Sequence, residues 1–162
     1  MTTPSLHQSL ATLFSALVDG ASADSSYMLN AGDPGLLRSL ERISAADASA
    51  PASPGSASIA AHVDHVCYGF ELMMRWSEGE ADPFKNADWS ASWKRAAVND
   101  AEWTKLRERL RAVARRWHTA LQTPREMSAI ELNGVIASIA HLAYHMGAIR
   151  QINRATQGPK AQ

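Results

Sequence analysis

Residues 140–147, AHLAYHMG, place His141 and His145 four positions apart in an apolar run near the C-terminal end of the chain. On an α-helix, residues four apart lie one turn above each other on the same face. Two imidazoles in that arrangement can bind the same metal ion, and a third ligand must then come from another element. The spacing therefore predicts a helix that carries part of a metal site.

A second histidine pair, His62 and His65, stands three positions apart in another apolar run. Both side chains fall on a single face of a predicted helix. Beside that face runs an apolar stripe, which consists of Ile59, Val63, Val66, Phe70 and Met73. We therefore expect both histidines at the edge of the core, where either one could supply the third ligand.

Metal binding has to be weighed against a purely structural role for these histidines. A single histidine on an apolar face is usually a core residue with a hydrogen-bond partner, and one pair could be a coincidence. Two pairs on two core-facing helices would leave several buried imidazole donors and acceptors to satisfy. Neutral imidazole is also the commonest nitrogen ligand of zinc, nickel and copper. The spacing thus favours a divalent metal ion on three histidines, with a position left for water or substrate.

The composition of this 162-residue chain excludes several other classes of protein. Acidic and basic residues balance at 16 each, so we expect neither nucleic acid nor a membrane as a partner. We find no apolar run of the length that spans a bilayer and no features of a secretory signal. The single cysteine, Cys67, excludes an intrachain disulfide and a cysteine-based zinc finger. We predict a cytoplasmic protein with one domain over residues 1–162 and a core at about residues 5–156.

The spacing of apolar residues predicts an all-α protein. Four long helices are expected at about residues 5–20, 58–77, 100–121 and 128–155. Between the first two, we predict a short helix that begins at Leu36, and then a connector rich in Ala, Ser, Pro and Gly over residues 44–58. A loop with Trp89 and Trp93 follows the second long helix and is expected to cover one end of the molecule. The predicted fold is a four-helix bundle with these two long connections.

Small residues accompany the histidines on the predicted helices. Gly69 follows His65 by one turn, and Ser138 and Gly134 precede His141 by one and two turns. A structural bundle would more often place Leu or Ile there, so these residues predict free space beside the metal.

Other candidate groups are weaker. The HxxxH motif lacks the glutamate of HExxH metalloproteases, and neither Glu71 nor Glu131 can be placed at the site from spacing. We expect Cys67 to be a buried, unreactive thiol, and His7 and His118 to be solvated. No catalytic residue can be named from the sequence.

The segment HLAYHMG at residues 141–147 resembles the last motif of the DinB/YfiT-like superfamily of metalloenzyme-like proteins. The segment SIAAHVDH at 58–65 is similar to the family's first motif, in which a histidine follows a helix-opening serine by seven positions. The resemblance extends over most of the chain. It implies a four-helix bundle, often dimeric, with nickel or zinc on His65, His141 and His145, and His62 as a substitute or an outer contact. Many members have Gln after the final glycine of the motif, whereas this chain has Ala148.

The resemblance also implies a range of activities. Some relatives are transferases or isomerases that use low-molecular-weight thiols, and others are assigned as hydrolases. We therefore expect a metal-dependent thiol transferase or hydrolase that acts on a small molecule and forms a homodimer. The alternative is a dimeric module that binds metal or serves a stress response without catalysis.

Overall fold

The computed structural model describes residues 5–95 and 97–160, which contain six α-helices and no strand. In chain order the helices are α1 (Leu6–Asp19), α2 (Gly35–Leu40), α3 (Ala45–Ser49), α4 (Ile59–Ser77), α5 (Asp100–Gln122) and α6 (Ala129–Ile152). Single turns of 3-10 helix lie at Ala23–Ser25, Ala91–Lys94 and Arg154–Thr156. The predicted all-α class is confirmed.

Two element boundaries differ from the predictions because side chains cap the backbone. The predicted connector contains α3, since the Ser44 side chain accepts from the Asp47 amide while the Asp47 carboxylate accepts from the Ser44 amide. At the other end of the chain, α6 stops before the predicted residue 155. Asn153 leaves the helical conformation there, and its side chain accepts from the Ala155 amide in the next turn.

A serine caps the N-terminal end of each of the two helices that carry the histidine pairs. The Ser58 hydroxyl accepts from the Ala61 amide at the start of α4. Ser128 begins α6 with a capping box, in which Ser128 and Glu131 each accept from the other's amide. These caps fix where each helix starts.

One buried core joins the four long helices. Helix α4 packs against α5 and α6, and α1 packs against the same two helices. The predicted apolar stripe of α4 is buried, and the largest enclosed side chains include Phe14, Phe70, Trp117 and Leu142. Because α4 and α6 are in direct contact, their histidine pairs lie side by side.

The two histidines outside the pairs are less solvated than predicted. His7 is half-buried, and its Nε2 lies 3.0 Å from the carbonyl oxygen of Arg125. His118 is also half-buried, and its ring stacks on Phe14 with centroids 6.3 Å apart. The prediction is wrong because both partners lie far away in sequence.

By length and composition alone, the 24-residue α6 is apolar enough to cross a membrane. That corrects the expectation that no run reaches this length. A core helix of a soluble protein passes the same test, so this finding carries little weight by itself.

Candidate metal centre

Three histidine side chains converge where α4 meets α6. The Nε2 atom of His141 lies 3.2 Å from Nε2 of His65 and 3.0 Å from Nε2 of His145. The three candidate ligand atoms all lie within 4.8 Å of one another. His65 and His145 are only 7% and 3% exposed, and His141 is half-buried. The structure thus places the three residues that the resemblance implied around a common point.

These separations suit three ligands of one ion. With metal–nitrogen bonds of about 2.0–2.1 Å, two ligands lie about 3.3 Å apart at tetrahedral angles and about 2.9 Å apart at right angles. The chemistry of the cluster points the same way, because each ring nitrogen offers either one proton or one lone pair. Three mutually close nitrogens cannot all be satisfied by hydrogen bonds among themselves, whereas a cation satisfies three lone pairs together. The residues present therefore fit a divalent metal ion.

The opposite nitrogens of two of these rings have polar partners. Nδ1 of His65 lies 3.0 Å from Oγ of Ser92, and Nδ1 of His145 lies 2.9 Å from Nδ1 of His62. When each Nδ1 carries the proton, it donates to its partner and leaves the Nε2 lone pair directed at the common point. His62 therefore contacts a candidate ligand and lies outside the cluster of three.

Burial keeps the cluster uncharged. It lowers the pKa of His65 to about 4, with His141 and His62 nearby as further causes. It lowers the pKa of His145 to about 3, again with neighbouring histidines as the lesser cause. Burial also lowers the pKa of His62 and His141. At neutral pH all four rings are therefore neutral, the state in which imidazole binds a metal.

The loop between α4 and α5 covers the cluster. The Trp93 ring stacks on His65 with centroids 4.4 Å apart, and Trp89 lies 5.6 Å from the same ring. Arg95 donates to the Asp64 carboxylate on α4 at 2.9 Å, which holds this part of the loop against the helix. Sequence reasoning expected tryptophans over one end of the molecule but missed Ser92 and Arg95, because a loop has no periodicity that would single them out.

A model of the DinB superfamily matches residues 33–149, which include both histidine pairs. The chain belongs to the DinB superfamily. The resemblance drawn from the two histidine motifs is thereby confirmed. No curated protein matches the chain. No solved structure matches it either. Membership and the three-histidine cluster are together compatible with metal binding.

The acidic residues on α4 and α6 of this DinB-superfamily chain are paired with arginine. Arg109 on α5 donates to Glu71 at 2.7 Å and also to Asp64. Glu131 accepts from the Ser128 amide at 2.8 Å and from Arg125. Within the described residues, no carboxylate joins the three histidines as a candidate ligand. Cys67 is buried as predicted, and burial raises the pKa of its thiol to about 12.

A cavity of about 360 Å³ lies between α4 and α6 and reaches His141. The predicted small residues Gly69, Gly134 and Ser138 all line it, so the expected free space is present. A Cβ atom on Gly134 would overlap the Trp76 ring, which shows how closely that ring packs on the α6 backbone. This DinB-superfamily chain thus combines a three-histidine cluster with an adjoining cavity.

Replacing Ser92 with alanine tests the outer contact of His65. Ser92→Ala removes the acceptor of His65 Nδ1, so the ring loses its fixed orientation, and we expect zinc affinity to fall about 10–100-fold. Competition with a chromophoric chelator measures the affinity. Ser90→Ala is the matched control, because Ser90 lies in the same loop and its hydroxyl donates to Asp88. Equal affinities for the two variants would contradict the role of Ser92.

The lowered pKa values predict how pH affects the stability of the metal-free protein. His65 and His145 stay neutral in the folded chain down to about pH 4 and 3, whereas the unfolded chain protonates them below their ordinary value of 6.5. The unfolded state therefore binds more protons in this window, and the free energy of unfolding falls as pH drops below 6.5. Urea unfolding with a chelator present measures this slope. His145→Gln removes one of the four rings whose pKa is lowered, and a slope as steep as that of the parent would contradict the assignment.

Proposed function

We propose that this chain binds one divalent metal ion, zinc or nickel, through the Nε2 atoms of His65, His141 and His145. We further propose that it catalyses thiol transfer to a small molecule bound in the adjoining cavity. The observation that carries the proposal is the convergence of three Nε2 atoms at the end of that cavity. Imidazole ligands suit both metals, so the ligand set supports either.

The bound ion would act as a Lewis acid that lowers the pKa of a thiol or water molecule beside it. The protein's own groups prepare the site. The neutral imidazoles of His65 and His145 offer lone pairs at neutral pH without first losing a proton. The indole rings of Trp89 and Trp93 shield His65 from bulk water, which strengthens electrostatic effects in the site. The cavity next to His141 holds the second reactant.

The pairing of the carboxylates favours thiol transfer over hydrolysis. A hydrolase commonly uses a carboxylate as the base that accepts a proton from water. Here Asp64, Glu71 and Glu131 are each held by arginine. A low-molecular-weight thiol has an ordinary pKa far below that of water and requires less help from a base. Hydrolysis of an ester or amide stays the second candidate reaction.

We also propose that α1, α4, α5 and α6 form the four-helix bundle expected of this family. The support is that their contacts form a closed ring, with α4 and α1 each packed against both α5 and α6. A cytoplasmic location is proposed as well, since the single cysteine is free and buried.

Metal analysis of protein purified without a histidine tag tests the site. We expect one zinc or nickel ion per chain after loading and dialysis, and a value near zero for His65→Ala and His145→Ala. His118→Ala is the control because its ring stacks on Phe14 away from the cluster, and it should keep the metal. A parent protein that retains no metal would contradict the proposal.

Turnover assays separate catalysis from simple metal binding. The metal-loaded protein is supplied with glutathione, bacillithiol or mycothiol together with electrophiles, and separately with a panel of esters and amides. The proposal expects turnover in the thiol set that exceeds free metal and is lost in His65→Ala. Metal binding without turnover in either set would instead support the non-catalytic dimeric module.

We propose that the chain forms a homodimer through the outer face of α6. Apolar side chains are exposed there, with Ile136 at 48% and Tyr144 at 72%, and exposed apolar patches commonly mark interfaces. Ile136→Glu should convert a dimer to a monomer in sedimentation velocity experiments, because it places a charge in the interface. Leu6→Glu is the matched control, since Leu6 is 49% exposed at the start of α1. A parent protein that sediments as a monomer would contradict the dimer.

A further inference from the structure

We infer that the cavity beside His141 binds an uncharged, largely aromatic small molecule with a hydrogen-bond acceptor at one end. That this molecule is the substrate rests on the proposed function, whereas its binding does not. The walls of the cavity, its volume and its polar groups all suit such a molecule.

The walls of the cavity are almost wholly apolar. Four aromatic residues line it, namely Phe70, Trp76, Phe84 and Trp89, and none of the described residues that line it is Asp, Glu, Lys or Arg. In the metal-free protein, a charged ligand would lose its hydration there without meeting an opposite charge, which is costly. An uncharged ligand loses little hydration and gains apolar contact.

Aromatic side chains pack at both ends of the cavity. Trp76 meets Phe84 edge-on with ring centroids 5.4 Å apart, and its ring packs against the backbone at Gly134. At the other end, the Gly69 position lies 3.5 Å from His141 Cε1 and 3.8 Å from the Trp89 ring when a Cβ is placed there. An aromatic ligand would gain from edge-on or offset contact with these side chains. A volume of about 360 Å³ accommodates a compound of one or two rings.

The His141 ring offers a polar group to a ligand in the cavity. The Ser138 hydroxyl already donates to the Val135 carbonyl at 2.7 Å and accepts from Trp117 Nε1 at 3.1 Å. The His141 ring directs its Nε2 at the histidine cluster and turns its Cε1–Nδ1 edge toward Gly69. With Nε2 unprotonated, Nδ1 carries the proton and donates. A carbonyl or similar acceptor on the ligand would complete this hydrogen bond.

Two isosteric probes test the charge preference. The ketone 2-acetonaphthone and the carboxylate 2-naphthoate share the same rings and differ in charge. We expect the ketone to bind at least about tenfold more tightly in calorimetric titrations. The protein is first stripped with a chelator, which prevents the carboxylate from binding a metal. Equal affinities, or tighter binding of 2-naphthoate, would overturn the inference.

A matched pair of variants locates the binding site. Ala137 is exposed and lines the cavity, whereas Ala140 is exposed on α6 and does not line it. Ala137→Phe should fill the cavity and weaken 2-acetonaphthone binding at least about tenfold, and Ala140→Phe should leave it unchanged. Unchanged binding to Ala137→Phe would overturn the inference. If that variant changes the sedimentation mass but not the affinity, the cavity mouth belongs to an interface between copies of this chain, and the small-molecule assignment is wrong.

Metal content measured on the same samples separates this inference from the proposed function. Selective binding of the ketone by a protein that retains no metal would support the cavity assignment and contradict the metal site. A protein that loads one ion per chain but binds neither probe would support the metal site and contradict the cavity assignment. Ala137→Phe should still load metal, because residue 137 is not among the three candidate ligands.

Discussion

The close contact of α4 with α6 at the histidine cluster constrains the rest of this structure. Nitrogen atoms of three neutral, shielded rings lie 3.0 and 3.2 Å apart there, where their lone pairs cannot all be satisfied among themselves. A purely structural core would be more stable with apolar residues at these positions. Instead, the protein adds polar contacts around the cluster through Ser92 and His62. That arrangement costs stability unless a cation is bound.

Part of this site could be predicted from the sequence alone, and the reason is geometric. Two histidines four apart on a helix must share a face, so His141 and His145 could be assigned from spacing alone. The choice between His62 and His65 could not, because residues three apart differ by only about 60° around the helix. The rotation of α4 against α6 decides between them. That rotation results from packing of the whole core, and it turns His65 Nε2 toward the cluster and His62 toward His145.

Features that depend on contacts between distant segments could not be predicted from the sequence. The all-α class follows from local periodicity, and it is confirmed. Ser92 reaches His65 in a loop that Arg95 pairs with Asp64, and no pattern in the loop predicts that ion pair. The contact of His7 with Arg125 could not be predicted either, because the two residues lie far apart in the sequence. The residue at which a helix ends depends on single side chains that hydrogen-bond to the backbone, as Asn153 does after α6.

The distribution of charge around the cluster also bears on which reactants suit it. Asp64 and Glu71 lie on α4 with His62 and His65, and Arg109 pairs with both carboxylates. Three neutral ligands would leave the full charge of a divalent ion uncompensated by the protein. An anionic reactant such as a thiolate would supply the missing negative charge. The cavity beside His141 offers no charged group among the described residues that line it, so the proposed function pairs the thiolate with a neutral second reactant.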